Sequence, residues 1–60
     1  MKTELRTQDA LSQLKGLQDH YKRLTENSLN RGNVTKARIH SEQATAVGNA
    51  IHELQLLAAQ

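Results

Sequence analysis

Asn27-Ser28-Leu29-Asn30-Arg31-Gly32-Asn33-Val34-Thr35 is the only segment of this 60-residue chain dense in turn formers, and its reading decides the fold. Gly32 suits the left-handed position just past a helix end, because it has no Cβ to clash there. Asn33 or Thr35 can then accept the first amide hydrogen bonds of a following helix. So few residues separate the two helices that the chain must reverse sharply.

On the N-terminal side, Ala10, Leu14, Leu17, Tyr21, Leu24 and Ser28 recur at alternating intervals of four and three. That is a heptad seam on one helical face, in a stretch rich in strong helix formers. On the C-terminal side, Ala37, His40, Ala44, Val47, Ile51, Leu54 and Ala58 repeat the pattern, with Ala50 and Leu57 widening the stripe. The expectation is an all-α, antiparallel two-helix hairpin, with helices over about 4–30 and 34–58 in a single domain spanning 1–60. Thr3 and Thr7 compete as the first N-cap, with Glu4 or Asp9 placed against the positive helix end.

Folding at Arg31-Gly32 pairs Leu24 with His40, Tyr21 with Ala44, Leu17 with Val47, Leu14 with Ile51 and Ala10 with Leu54, while Ser28 faces Ala37. Large meets small at two of these levels, Tyr21 with Ala44 and Ala10 with Leu54, as interdigitated packing requires. Leu5, Leu11, Leu56 and Leu57 lie outside this seam, toward the open end. The apolar class holds 22 residues, of which seven are Ala, so about fifteen side chains are large enough to build a core. Cores of this size rarely supply more than about 3–5 kcal/mol, and small scaffolds compensate with disulfides, a metal or oligomerisation. The chain has no Cys, which removes the first remedy and makes a zinc site improbable. The expected remedy is a homodimer that closes a four-helix bundle through Leu5, Leu11, Leu14, Ile51, Leu54, Leu56 and Leu57. Gly16 and Gly48, at one level of the hairpin, either admit a partner helix closely or sit neutrally on an exposed face.

Chemistry-bearing patterns are sparse. There is no Cys nucleophile, phosphate-binding glycine loop or Gly-x-Ser-x-Gly elbow, so no catalytic, cofactor or metal residues are assigned and an enzyme is not expected. His20, His40 and His52 lack the three- or four-residue spacing of ligands on one helix face. His40 occupies a seam position, where a neutral imidazole bonded to Ser28 or Thr25 is the expected state; if buried, its protonation below about pH 6 would weaken the bundle. Tyr21 is expected at the core or dimer rim. No apolar run approaches a signal peptide or a membrane span, so the expectation is a soluble protein of the cytoplasm.

Charge is distributed unevenly. Lys22, Arg23, Arg31, Lys36 and Arg38 against Glu26 make the turn end +4, and the rest of the chain sums to -2. A basic tip can meet phosphates or an acidic protein, or simply aid solubility; no aromatic residue lies there to stack on bases.

Arg31-Gly32-Asn33-Val34-Thr35-Lys36-Ala37 resembles the turn of a tetratricopeptide repeat, but the aromatic positions of that repeat are absent and one hairpin is not an array. In architecture the chain resembles the Rop-like hairpins, which dimerise into four-helix bundles and bind paired RNA loops. The opening Met1-Lys2-Thr3-Glu4-Leu5-Arg6-Thr7-Gln8-Asp9-Ala10, with the Cys-free helical make-up, resembles the small proteins of the exo-xis region of lambdoid bacteriophages. That resemblance implies a non-enzymatic accessory factor in the host cytoplasm, influencing lytic versus lysogenic development or host physiology through a host or phage protein. The alternative is a nucleic-acid-binding regulator using the basic tip.

Overall fold

The reversal is built from three residues and five backbone or capping bonds. At its centre Gly32 has φ 75°, the left-handed conformation that favours glycine. Its amide donates to the carbonyl of Leu29 at 2.9 Å, and the amide of Asn33 donates to that of Ser28 at 2.8 Å. These two bonds form a Schellman motif, which satisfies carbonyls that a helix end otherwise leaves open. Asn33 then begins the next helix at once. Its Oδ1 accepts from the Lys36 amide at 3.1 Å, and its backbone carbonyl accepts from the Ala37 amide at 3.0 Å. Of the two expected N-caps, Asn33 is the one used.

The computed structural model describes residues 2–59, with side chains described from Arg6 onward. It consists of α1 (Lys2–Asn30) and α2 (Val34–Ala58), packed against each other as a hairpin with no strand among the described residues. The backbone is already helical at Lys2, so neither Thr3 nor Thr7 is an N-cap; both lie inside α1. The hairpin extends over 47 × 14 × 10 Å, with a radius of gyration of 14.0 Å. A compact domain of this length would have about 10 Å, so the chain is a rod with little interior.

What interior exists follows a seven-residue repeat. Ala37, Ala44 and Ile51 are 4%, 7% and 7% exposed, and Ser28 is buried opposite them near the turn. Around this line, Ala10, Leu11, Leu14, Tyr21 and Leu24 of α1 and His40, Val47, Ala50 and Leu54 of α2 are half-buried. Small residues along the α2 seam let the two backbones approach closely. Thr25 and Thr45 back-bond through their hydroxyls to the carbonyls of Tyr21 and Ser41, at 2.9 and 3.1 Å, so neither hydroxyl disturbs the packing.

The expected seam is corrected at one level. Leu17 is 39% exposed, and Gln18 takes the inward position beside it. The Gln18 amide reaches across the hairpin and donates to the Ala44 carbonyl at 3.5 Å. It also lies over Gly48, where an added Cβ would stand 2.7 Å from Gln18 Nε2. The close approach at Gly48 is thus made by the other helix of the same hairpin. Gly16, by contrast, has open space where a Cβ would be.

The two glycines therefore respond differently to alanine. Gly16→Ala should stabilise the hairpin by about 0.8–1.0 kcal/mol, the helix-propensity difference. Gly48→Ala gains the same term but must displace the flexible end of Gln18, so its net gain should be smaller. Paired thermal melts check this; equal gains would show that the Gln18 bridge contributes nothing.

Candidate interaction surfaces

With 3.6 residues per turn, each helix presents a central row to its neighbour and one flanking row to each broad face of the rod. The central rows are Thr7, Leu14, Tyr21 and Ser28 on α1 and Ala37, Ala44 and Ile51 on α2. One broad face carries the flanking rows Leu11, Gln18, Thr25 and Ser41, Gly48, Gln55. A groove of about 330 Å³ on it is lined by Gln18, Lys22, Thr25, Glu26, Ser41 and Thr45, with Ala44 at its floor. The opposite face carries Ala10, Leu17, Leu24 and His40, Val47, Leu54. Apart from His40 these are apolar, and Ala50 and Leu57 extend the same side of α2.

At the turn end of this second face, Leu24, Asn27, Arg31, Asn33, Lys36 and His40 surround a depression of about 340 Å³. The two hollows are nearly equal in size and differ in charge: one holds Lys22 and Glu26, a cation and an anion, and the other is flanked by the cations Arg31 and Lys36. Leu24 and His40 border the same hollow, as their expected pairing requires.

The residues expected at a dimer interface fall in different places. Ile51 is buried inside the hairpin, and Leu14 is half-buried in the same central seam. Leu11 belongs to the polar broad face. Leu56, 54% exposed, points away from the other helix. Leu54 and Leu57 lie on the apolar face, with Leu57 64% exposed. The Leu5 side chain lies outside the described residues. Reading by heptad alone missed Leu17, Leu24 and Val47 as a surface, because it counted them as core. The signal that distinguishes the faces is the contrast between the two flanking rows.

The expected basic tip is divided as well. Arg31 and Lys36 border the turn hollow, whereas Lys22 lines the groove on the opposite face. Arg23 and Arg38 are exposed. Two of the five cations thus converge, and they do so at the end of the apolar face.

His40 is half-buried, and its Nδ1–H donates to Gln43 Oε1 at 2.9 Å, one turn along its own helix. The partner is Gln43 rather than Ser28 or Thr25. The His20 ring lies 5.9 Å from that of Tyr21, tilted by 51°, at the exposed edge of α1. Among the described residues no three His, Cys, Asp or Glu side chains converge, and no helix is long and apolar enough to cross a membrane. Comparison with protein-family models, curated proteins and solved structures finds no match to this chain.

Proposed function

We propose that the protein is a non-enzymatic interaction module, a helical hairpin that dimerises into a four-helix bundle and presents its outer surface to a host or phage protein. The observation that carries this reading is the unfinished burial of the hairpin. Among the described residues Ile51 is the only large apolar side chain that is buried, while Leu17, Leu56 and Leu57 are each more than a third exposed. A pair of helices with one buried isoleucine lacks the core that independent stability demands. A second hairpin supplies it with no new chemistry.

The regulatory setting, an accessory factor acting in the host cytoplasm on lytic versus lysogenic development or on host physiology, is supported by the opening decapeptide and the Cys-free helical make-up alone. Its test begins with assembly. Sedimentation at micromolar concentration should give about twice the 6.7 kDa chain mass; a stable folded monomer would remove the reading.

A second reading is favoured by one feature, the convergence of Arg31 and Lys36 on the turn hollow. There the module binds nucleic acid through phosphates. Its signature is binding to RNA or DNA that weakens steeply with salt and falls further on Arg31→Ala and Lys36→Ala. No binding at low salt leaves the protein-partner reading alone.

A further inference from the structure

The dimer reading leaves open which faces meet and in which direction. We infer that two copies meet through the apolar broad face that carries Leu17, Leu24, Val47 and Leu54, with the hairpins antiparallel, so that the basic turn of each lies toward the open end of the other. This rests on the dimer proposed above and specifies it.

The face is chosen by chemistry. The flanking rows on this side are Ala10, Leu17, Leu24, Val47 and Leu54 with His40, whereas those on the other side are Gln18, Thr25, Ser41, Gly48 and Gln55 with Leu11. Burying the first removes apolar area from water; burying the second would take the polar side chains of Gln18, Ser41 and Gln55 out of water.

The occupant is chosen by area. The hairpin exposes 4937 Å², against about 3,900 Å² for a compact protein of the same mass. Two free hairpins therefore exceed a compact assembly of twice the mass, about 6,500 Å², by about 3,400 Å². That excess lies within the roughly 2,000–5,000 Å² of obligate homodimer interfaces. A second copy also brings its own uncovered apolar face, so both are covered in one isologous contact.

The direction is chosen by charge. Arg23, Arg31 and Lys36 border this side near the turn, and Asp9 and Glu53 border it near the open end. Inverting one rod on the other about a two-fold axis lays α1 on α1 and α2 on α2 of the second copy, which brings Arg23 toward the Asp9 of that copy. A parallel pair would instead gather both copies of Arg31 and Lys36 at one end. Only Arg6, near the open end, is placed by the inversion beside like charge. Rim pairs of this kind add little affinity, but they select between orientations whose apolar contact is otherwise similar.

The chain has no Cys, so Asn30→Cys provides a single exposed labelling site at the turn. Spin labels there should lie more than about 30 Å apart in the dimer, from the rise of the helices between turn and open end. A separation of about 10–20 Å, the spacing of neighbouring helices plus linkers, would overturn the antiparallel arrangement. Leu17→Lys should weaken self-association by roughly a hundredfold, and Thr45→Lys on the polar groove should leave it unchanged. The reverse pattern would move the interface to the other face while leaving the dimer standing. A parent chain that sediments as a monomer would instead defeat the dimer itself. If Leu17→Lys unfolds the chain, the turn labels still report on a dimer whose apolar face is intact.

Discussion

Ile51→Ala should leave the chain largely unfolded at room temperature, as seen in the loss of far-ultraviolet helical signal and of a cooperative melt. Ile51 is 7% exposed, and the other buried side chains among the described residues are Ala37, Ala44 and Ser28. Removing a buried isoleucine down to its Cβ costs about 2–5 kcal/mol, the transfer term plus the cavity left behind. A core of this size supplies only about 3–5 kcal/mol, so one substitution consumes most of the margin. Helix propensity does not rescue the fold, since isolated helices of this kind are marginal without tertiary contact. Leu56→Ala is the matched control: at 54% exposure it should shift the melt little. If Ile51→Ala melts like the parent, the helices are held together by something other than the seam described above.

Ala44→Leu should lower the melting temperature, although it adds apolar surface to a chain short of it. Ala44 is buried where α2 meets α1, and its carbonyl accepts the hydrogen bond from the Gln18 amide across the hairpin. It lies on the central row with Ala37, one heptad away, so the closeness of the helices depends on a methyl group at both levels. A leucine there must force the backbones apart or leave its rotamer wells, at a cost of about 1–3 kcal/mol. For a domain this short that corresponds to a fall of about 5–20 °C. The Gln18 bridge would be lost as well. Thermal melts of the parent and the variant decide it; a rise in melting temperature would mean that the seam at Ala44 is underfilled.

The turn was legible because its chemistry is local. Gly32 must adopt a positive φ and Asn33 must cap, and both requirements are met within a few residues. The α2 boundaries follow for the same reason. The start of α1 was less legible: Thr3 and Thr7 both match a capping pattern, yet helical backbone extends past them to Lys2. A capping residue favours a start without requiring one, because strong helix formers on either side keep propagation open.

Leu56 and Leu57 were legible as lying outside the seam, but the exposure of Leu17 was not. Leu17 and Gln18 lie on opposite sides of the central row of α1, roughly 60° and 40° from it, so periodicity admits either as the inward residue. Hydropathy favours Leu17, and it is Gln18 that turns inward. The reason lies on α2, where Gly48 leaves room for a long side chain and the Ala44 carbonyl offers it a bond. That room is a property of the pair of helices, and nothing in α1 encodes it.

Sequence alone determined that this chain is two helices and a three-residue reversal, because each element is specified by neighbours a few positions away. It also determined that large apolar residues are few, about fifteen once alanine is set aside. Only the tertiary structure decided how each helix is rotated about its axis, and therefore which residues are spent inside and which remain outside. Rotations a few tens of degrees apart share one heptad pattern, and the choice among them is made by the shapes of both surfaces at once. That choice buries Ile51, turns Gln18 inward, and leaves Leu17, Leu24, Val47 and Leu54 along one face of the rod.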